Sequence, residues 1–203
     1  MIIGITGSIG SGKTTAAKIF GKYHFNRIDA DEIGHSLLKS DSKIKNRIIE
    51  EFGKEILGNK NSIDRKKLGN IVFNDKSKLK KLNSIMHRPI ISKIKNQIKN
   101  IQKKCGADAK IVIDAPLLIE TNLKNLVDKV AVVKCDEKIQ IERILKKGKH
   151  TKKEINQIIK SQIPLKNKLN HADFVVDNGR DAKNLESQIK DIIEKTENHN
   201  SLS

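Results

Sequence analysis

"GSIGSGKTTAAKIF", residues 7–20, follows directly on the apolar run "MIIGIT". Gly7, Gly12, Lys13 and Thr14 fit G-x-x-x-x-G-K-[S/T], the pattern of a phosphate-cradling loop set between a strand and a helix. Residues 1–6 are apolar and rich in β-branched side chains, as a buried parallel strand requires. Gly7, Gly10 and Gly12 admit backbone angles that a Cβ forbids, so successive N–H groups can point into one concavity and surround an anion. Lys13 adds a positive charge near the outer phosphates, and Thr14 adds a hydroxyl suited to Mg²⁺. The helix that begins near Lys13, with Ala16, Ala17, Ile19 and Phe20, turns its positive N-terminal end toward the same point. The stretch therefore predicts a site for ATP or GTP.

Outward from the loop, strand-like runs recur at "FNRIDAD" (25–31), "KIVIDAP" (110–116), "KVAVVKC" (129–135) and "DFVVDN" (173–178). With the first strand they make five, separated by helical stretches, which predicts an α/β fold with a five-stranded parallel sheet and right-handed crossovers. The stretch from about Glu32 to Lys104 shows no convincing strand but has helical periodicity in "KIKNRIIEEF" and "PIISKIKNQIKNIQ". It reads as a helical insertion over residues 32–105, leaving residues 1–31 and 106–195 as the core. Residues 146–164, "KKGKHTKKEINQIIKSQIP", start loop-like and become helical; they form either a lid over the triphosphate or a solvated surface helix. Residues 196–203 read as a disordered tail.

The 203 residues leave room for one α/β core and its insertion. No apolar run reaches the ~20 residues that span a bilayer, and the N-terminal residues are already strand-like, so a cytoplasmic enzyme without membrane contact is expected. Cys105 and Cys135 stand apart from any CxxC or His pair and read as reduced, structural thiols. The net charge of +17 would suit a nucleic acid. Its lysines, however, are spread along the whole chain, and aromatic side chains for base stacking make up only 3%. A polyanionic small substrate is the expected partner. The guanine-reading pattern NKxD is absent: "NKLN" at 167–170 ends in Asn, which lacks the carboxylate needed to accept two guanine N–H groups.

Three acidic clusters complete the site. Asp29 and Asp31 fall at the C-terminal end of the second strand, where open α/β sheets hold ligands. Asp31 is the candidate general base for an acceptor hydroxyl, while Asp29 is either a second site carboxylate or the N-cap of the next helix. Asp114 closes an apolar strand in the manner of a Walker B segment and is placed to support Mg²⁺. Glu120 is left between a site residue and a helix cap.

Taken together and in this order, "GITGSIGSGKTT", "IDADEI", "EEFGKEIL", "SIDRKKLGNIVF", "IDAPLLIE", "VDKVAVVKCDEKIQIERI" and "HADFVVDN" resemble the dephospho-CoA kinase family from residue 2 to about residue 195. The resemblance implies a P-loop core, a helical CoA-binding part and a lid, with ATP and Mg²⁺ used to phosphorylate the ribose 3′-hydroxyl of dephospho-CoA. It assigns Gly10, Ser11, Gly12, Lys13, Thr14 and Thr15 to the ATP phosphates, Thr14 and Asp114 to the metal, and Asp31, Lys13 and Arg143 to catalysis. Asp64, Arg65, His87, Asp114 and Leu117, with Asp31, fall to the acceptor side. Lys147 and Lys168 stand where the family often has Arg, and Lys lacks the planar fork of Arg for clamping a phosphate or stacking on adenine. "HRPII" replaces the usual "HP" at His87, which is either a packing residue at a helix junction or a substrate contact. Another nucleoside or nucleotide kinase, and a nucleic-acid-dependent NTPase, are the competing readings.

Overall fold

The computed structural model describes residues 1–148 and 151–200. In chain order it runs β1 (Ile2–Gly7), α1 (Lys13–Lys22), β2 (Asn26–Asp29), α2 (Ala30–Ser40), α3 (Ser42–Phe52), α4 (Arg65–Phe73), α5 (Lys76–Cys105), β3 (Ile111–Asp114), β4 (Lys129–Lys134), α6 (Glu137–Lys146), α7 (Lys152–Ser161), α8 (Leu165–Leu169), β5 (Phe174–Asp177) and α9 (Ala182–Asn200). The five expected strands form one parallel sheet in the order β2-β3-β1-β4-β5. β1 lies between β3 and β4, so the chain leaves its C-terminal end at the point where the strand order changes direction, the place where such sheets bind ligands.

The period-2 pattern of the strands divides the core. Ile3, Ile5, Val112, Ala131 and Val133 face α1 and α9, where Ala16, Ala17, Phe20, Leu185 and Ile189 cover them. Ile111, Ile113, Val130 and Val132 face the other way, onto Ile94 and Ile98 from the second half of α5. Both faces of the sheet are thus buried, as a parallel sheet requires. A separate core forms among α3, α4 and the first half of α5, from Ile44, Ile48, Phe52, Leu68, Val72, Ile85 and Met86. One 30-residue helix therefore joins the helical part to the sheet. Pro89 lies inside that helix, so His87 sits within a continuous helix and not at a helix junction.

Two expectations change at the ends of segments. Lys149 and His150, within the expected lid, lie outside the described residues; around them α6 ends in a turn and α7 starts on a capping box between Thr151 and Glu154. The tail differs more. α9 continues to Asn200, Thr196 is only 5% exposed, and its hydroxyl donates to Ile192 O and Ile193 O at 3.0 and 2.8 Å. Lys110 pairs with Glu197, tying the last turns to the approach to β3. Residues 196–200 are helical because Leu185, Ile189, Ile192, Ile193 and Thr196 keep one stripe against the sheet; residues 201–203 lie outside the described residues. Deleting residues 196–203 is expected to lower Tm by roughly 2–4 °C for each ~1 kcal/mol of lost packing in a chain of this size. A differential scan decides it, since loss of a disordered tail would leave the transition where it was.

Candidate active site

The loop after β1 is shaped by its glycines. Gly12, at φ 94°, precedes α1, and a Cβ there would overlap the Asn178 side chain. Asn178 Nδ2 donates to Ser11 O at 2.7 Å, so the end of β5 braces the loop from beneath. No side chain caps α1, which leaves its first N–H groups facing outward. Ser11 Oγ is buried and has no hydrogen-bond partner among the described residues. Thr14 and Thr15 are exposed on the first turn. Lys13 Nζ donates to Ser8 O at 3.1 Å, and burial holds its pKa below the ordinary lysine value against the raising charges of Asp114 and Asp31. Outward N–H groups, an orphaned hydroxyl and a poorly solvated ammonium make a site that fits phosphate oxygens.

Asp114 is brought to the loop by register: it pairs with Ile5 on β1 and with Asp29 on β2. Thr14 Oγ1 donates to Asp114 Oδ2 at 2.9 Å. Arg27 Nη2 bonds Asp29 and reaches Asp114 Oδ2 at 3.4 Å, so the guanidinium lies between two carboxylates that would otherwise repel. No group of three His, Cys, Asp or Glu among the described residues could hold a metal unaided. One hydroxyl beside one carboxylate nevertheless fits Mg²⁺, which keeps most of its shell as water and phosphate oxygen.

On the acceptor side, Asp29 is the N-cap of α2, with Oδ1 accepting from Glu32 N at 3.0 Å. Its partners are therefore Arg27 and the helix end. Asp31, two residues on, opens to solvent at the floor of the cleft. The surrounding protein raises its carboxyl pKa; Lys13 opposes this, Asp29 and Asp114 add to it, and Arg65 opposes it. Arg65, at the start of α4, also acts on His35, whose pKa falls through burial first and this guanidinium second. The neighbouring Asp64 is occupied as the N-cap of α4, accepting from Lys66 N and Lys67 N at 2.9 and 3.2 Å. A cavity of about 60 Å³ joins Asp31 to His87, Ile90, Pro116 and Leu117. His87 Nε2 is buried with no hydrogen-bond partner among the described residues, and burial pushes its pKa down while Glu120 pulls it up.

A second groove, of about 520 Å³, runs from Gly10, Thr14 and Thr15 past Arg143, Lys146, Lys147 and Arg180. Arg143, on α6, reaches Cys135 Sγ at 3.6 Å. Lys147 lies in this groove, whereas Lys168 does not: it is fully buried, donates to Pro116 O at 2.6 Å and lies 3.0 Å from Glu120 Oε1. A single ammonium suits one carbonyl and one carboxylate where no flat fork is needed. Glu120 caps no helix in this arrangement. Sequence reasoning gave no role to Asn178, to Arg27, or to Gln162, whose Oε1 accepts from Ile9 N at 3.2 Å and ties the segment after α7 to the phosphate loop. Asn178 follows a strand end and was findable on that ground; the other two carry no local signal. A larger groove of about 1030 Å³ opens at the opposite end of the sheet. Of its acids, Asp128 accepts from Ile2 N, Asp173 accepts from Val130 N and pairs with Lys129, and Glu197 pairs with Lys110.

The sequence and the fold have close counterparts. The family model described as dephospho-CoA kinase matches residues 1–184. A dephospho-CoA kinase of Oceanobacillus iheyensis is 38% identical over 198 residues, covering 96% of this chain and 97% of its own. The solved dephospho-CoA kinase of Campylobacter jejuni superposes with a TM-score of 0.69 at 29% identity, covering 98% of both chains. A Thermus thermophilus structure shares the fold at a TM-score of 0.76 and 23% identity, over 96% of this chain and 97% of its own. The match along nearly the whole chain, with the phosphate loop and the Asp31 and Asp114 carboxylates converging at the C-terminal end of the sheet, places this chain in the dephospho-CoA kinase family.

Proposed function

We propose that the chain performs its family's reaction, transfer of the ATP γ-phosphoryl group to the ribose 3′-hydroxyl of dephospho-CoA, with the following division of roles. The observation that carries it is the convergence of Lys13, Asp31 and the Thr14–Asp114 pair at the C-terminal ends of β1, β2 and β3. ATP lies along the Arg143 groove with its phosphates on Gly10–Thr15, where open N–H groups, Ser11 Oγ and Lys13 take their charge. Thr14 and Asp114 would hold Mg²⁺, which would supply positive charge to the phosphates there. The acceptor enters from the helical part, past Arg65, His87 and Leu117, and presents its hydroxyl to Asp31. As the hydroxyl oxygen bonds to the γ-phosphorus, the bond to the β-phosphate oxygen breaks, ADP carries off that electron pair, and Asp31 accepts the hydroxyl proton. Arg143 and Lys13 stabilise charge on the transferring group. Asp64 contributes by fixing the N-terminus of α4, and so Arg65. Among the described residues no helix is long and apolar enough to cross a membrane, and we place the enzyme in the cytoplasm, beside its soluble substrates.

Incubation of the purified protein with Mg-ATP and dephospho-CoA is expected to give CoA and ADP by mass spectrometry. Turnover of a free nucleoside with no CoA would instead assign the chain to a different acceptor. Asp31→Asn is expected to keep ATP affinity and to cut kcat by roughly 10²-fold or more, the scale of a positioned base; steady-state kinetics with a parallel ATP titration read both. Because Asp31 must be ionised to act and its pKa is raised in the fold, acidification removes the active form sooner than for a free aspartate. The acidic limb of kcat/KM should therefore lie above that of an unperturbed aspartate, and a limb at or below the unperturbed position would exclude Asp31. Thr14→Val should raise the Mg²⁺ concentration needed for half-maximal rate while leaving the melting temperature near wild type.

A further inference from the structure

The Pro116–Glu120 loop carries one wall of the acceptor cavity and begins two residues after Asp114; its middle is held by fully buried Leu118 and by Thr121 Oγ1, which donates to Leu117 O at 2.8 Å, while its two ends meet one lysine. Pro116 O accepts from Thr6 Oγ1 at 3.1 Å and from Lys168 Nζ at 2.6 Å. At the far end of the loop, Glu120 has 15% side-chain exposure and lies 3.0 Å from the same ammonium. Neither Glu120 oxygen makes an aligned hydrogen bond to any described residue, so the ion pair with Lys168 is its one strong polar attachment. Lys168 itself is fully buried. A buried ammonium and a buried carboxylate are each costly to desolvate and persist together only where they compensate one another. One side chain, arriving from α8 and so from beyond the lid segment, thus grips both ends of the loop.

We propose that Lys168 is a positioning residue for the acceptor: through Pro116 O and Glu120 it sets the loop, and with it Leu117, against Asp31 and His87. The nucleotide groove, lined by Gly10, Arg143 and Lys147, is not held by this grip. Its loss therefore displaces the acceptor hydroxyl relative to Asp31 while ATP binds as before. His87 lies across the cavity from the loop and feels the charge of Glu120, so that charge is part of the acceptor environment. The inference rests on the proposed assignment of this cavity to dephospho-CoA.

The test uses the full chain and begins with wild-type turnover. If dephospho-CoA is not phosphorylated, the assignment of the acceptor fails; if it is, the variants address Lys168 alone. Lys168→Met leaves Glu120 buried and unpaired, so it is accompanied by Lys168→Met/Glu120→Gln, which removes the stranded charge and keeps the fold testable. In the double variant the KM for dephospho-CoA is expected to rise by about 10-fold or more, with kcat reduced and the Kd of a fluorescent ATP analogue within about twofold of wild type. Lys168→Arg, which keeps the cation, should recover most of the acceptor KM. A double variant with wild-type acceptor KM would overturn the proposal. So would a loss of ATP affinity as large as the loss toward the acceptor, which is the mark of a merely structural residue.

Discussion

The hydrogen bond from Thr14 Oγ1 to Asp114 Oδ2, 2.9 Å long, joins the two halves of the chemistry, and most of the fold is arranged so that it can form. Thr14 stands on the first turn of α1, whose place follows from the strained loop after β1. Asp114 ends β3, a strand that lies 100 residues further along the chain and meets β1 only through the parallel sheet. The strand order β2-β3-β1 makes this contact and puts the Asp29 end of β2 beside Asp114 as well. Asp31 is delivered two residues later, on the first turn of α2. Parallel pairing thus fixes Asp114 and the Asp29 strand end relative to each other, and the first turns of α1 and α2 carry Thr14 and Asp31 forward from the sheet.

That geometry crowds like charges, and the site tolerates the crowding through a few cations. Arg27 separates Asp29 from Asp114. Loss of solvation at the cleft floor raises the Asp31 pKa, Asp29 and Asp114 add to the rise, and Lys13 opposes it without reversing it. Lys13 in turn is depressed by its own burial. Phosphates arriving on the loop favour charged Lys13, since an opposite charge nearby stabilises the ion. The same phosphates disfavour ionised Asp31. A divalent cation held at Thr14 and Asp114 would offset this.

Much of this was legible in the chain because the signals are local. The phosphate loop depends on glycines and on a neighbouring strand and helix, all within about 20 residues, and the strands announce themselves as short β-branched runs. Asp31 and Asp114 were readable as strand-end carboxylates for the same reason. Lys168 was not: its role depends on a carbonyl 52 residues away, and among so many lysines nothing in its own surroundings marks it as buried. Asp64 was read as part of the acceptor-binding block through its motif; the structure adds that its Oδ1 caps α4, a use that many Asp residues at helix starts share. The tail was misread because its Glu, Asn and Ser content suggests a solvated end. The apolar stripe that runs from Leu185 through Ile193 to Thr196 was the stronger signal, being continuous with the preceding helix.

The helical part gains a definite task once the caps are set aside. Asp64 and Asp29 each cap a helix through Oδ1, and on the proposed assignment the acceptor also meets the cation of Arg65, His87, whose Nε2 has no hydrogen-bond partner among the described residues, and the apolar wall of Leu117. Arg65 depends on Asp64 for its place, because a capped α4 begins where the guanidinium must leave it. His87 depends on α5, whose first half belongs to the helical core and whose second half packs on the sheet. One helix thus crosses from one core to the other and packs on α2, so the element that bears His87 and the element that bears Asp31 are in direct contact.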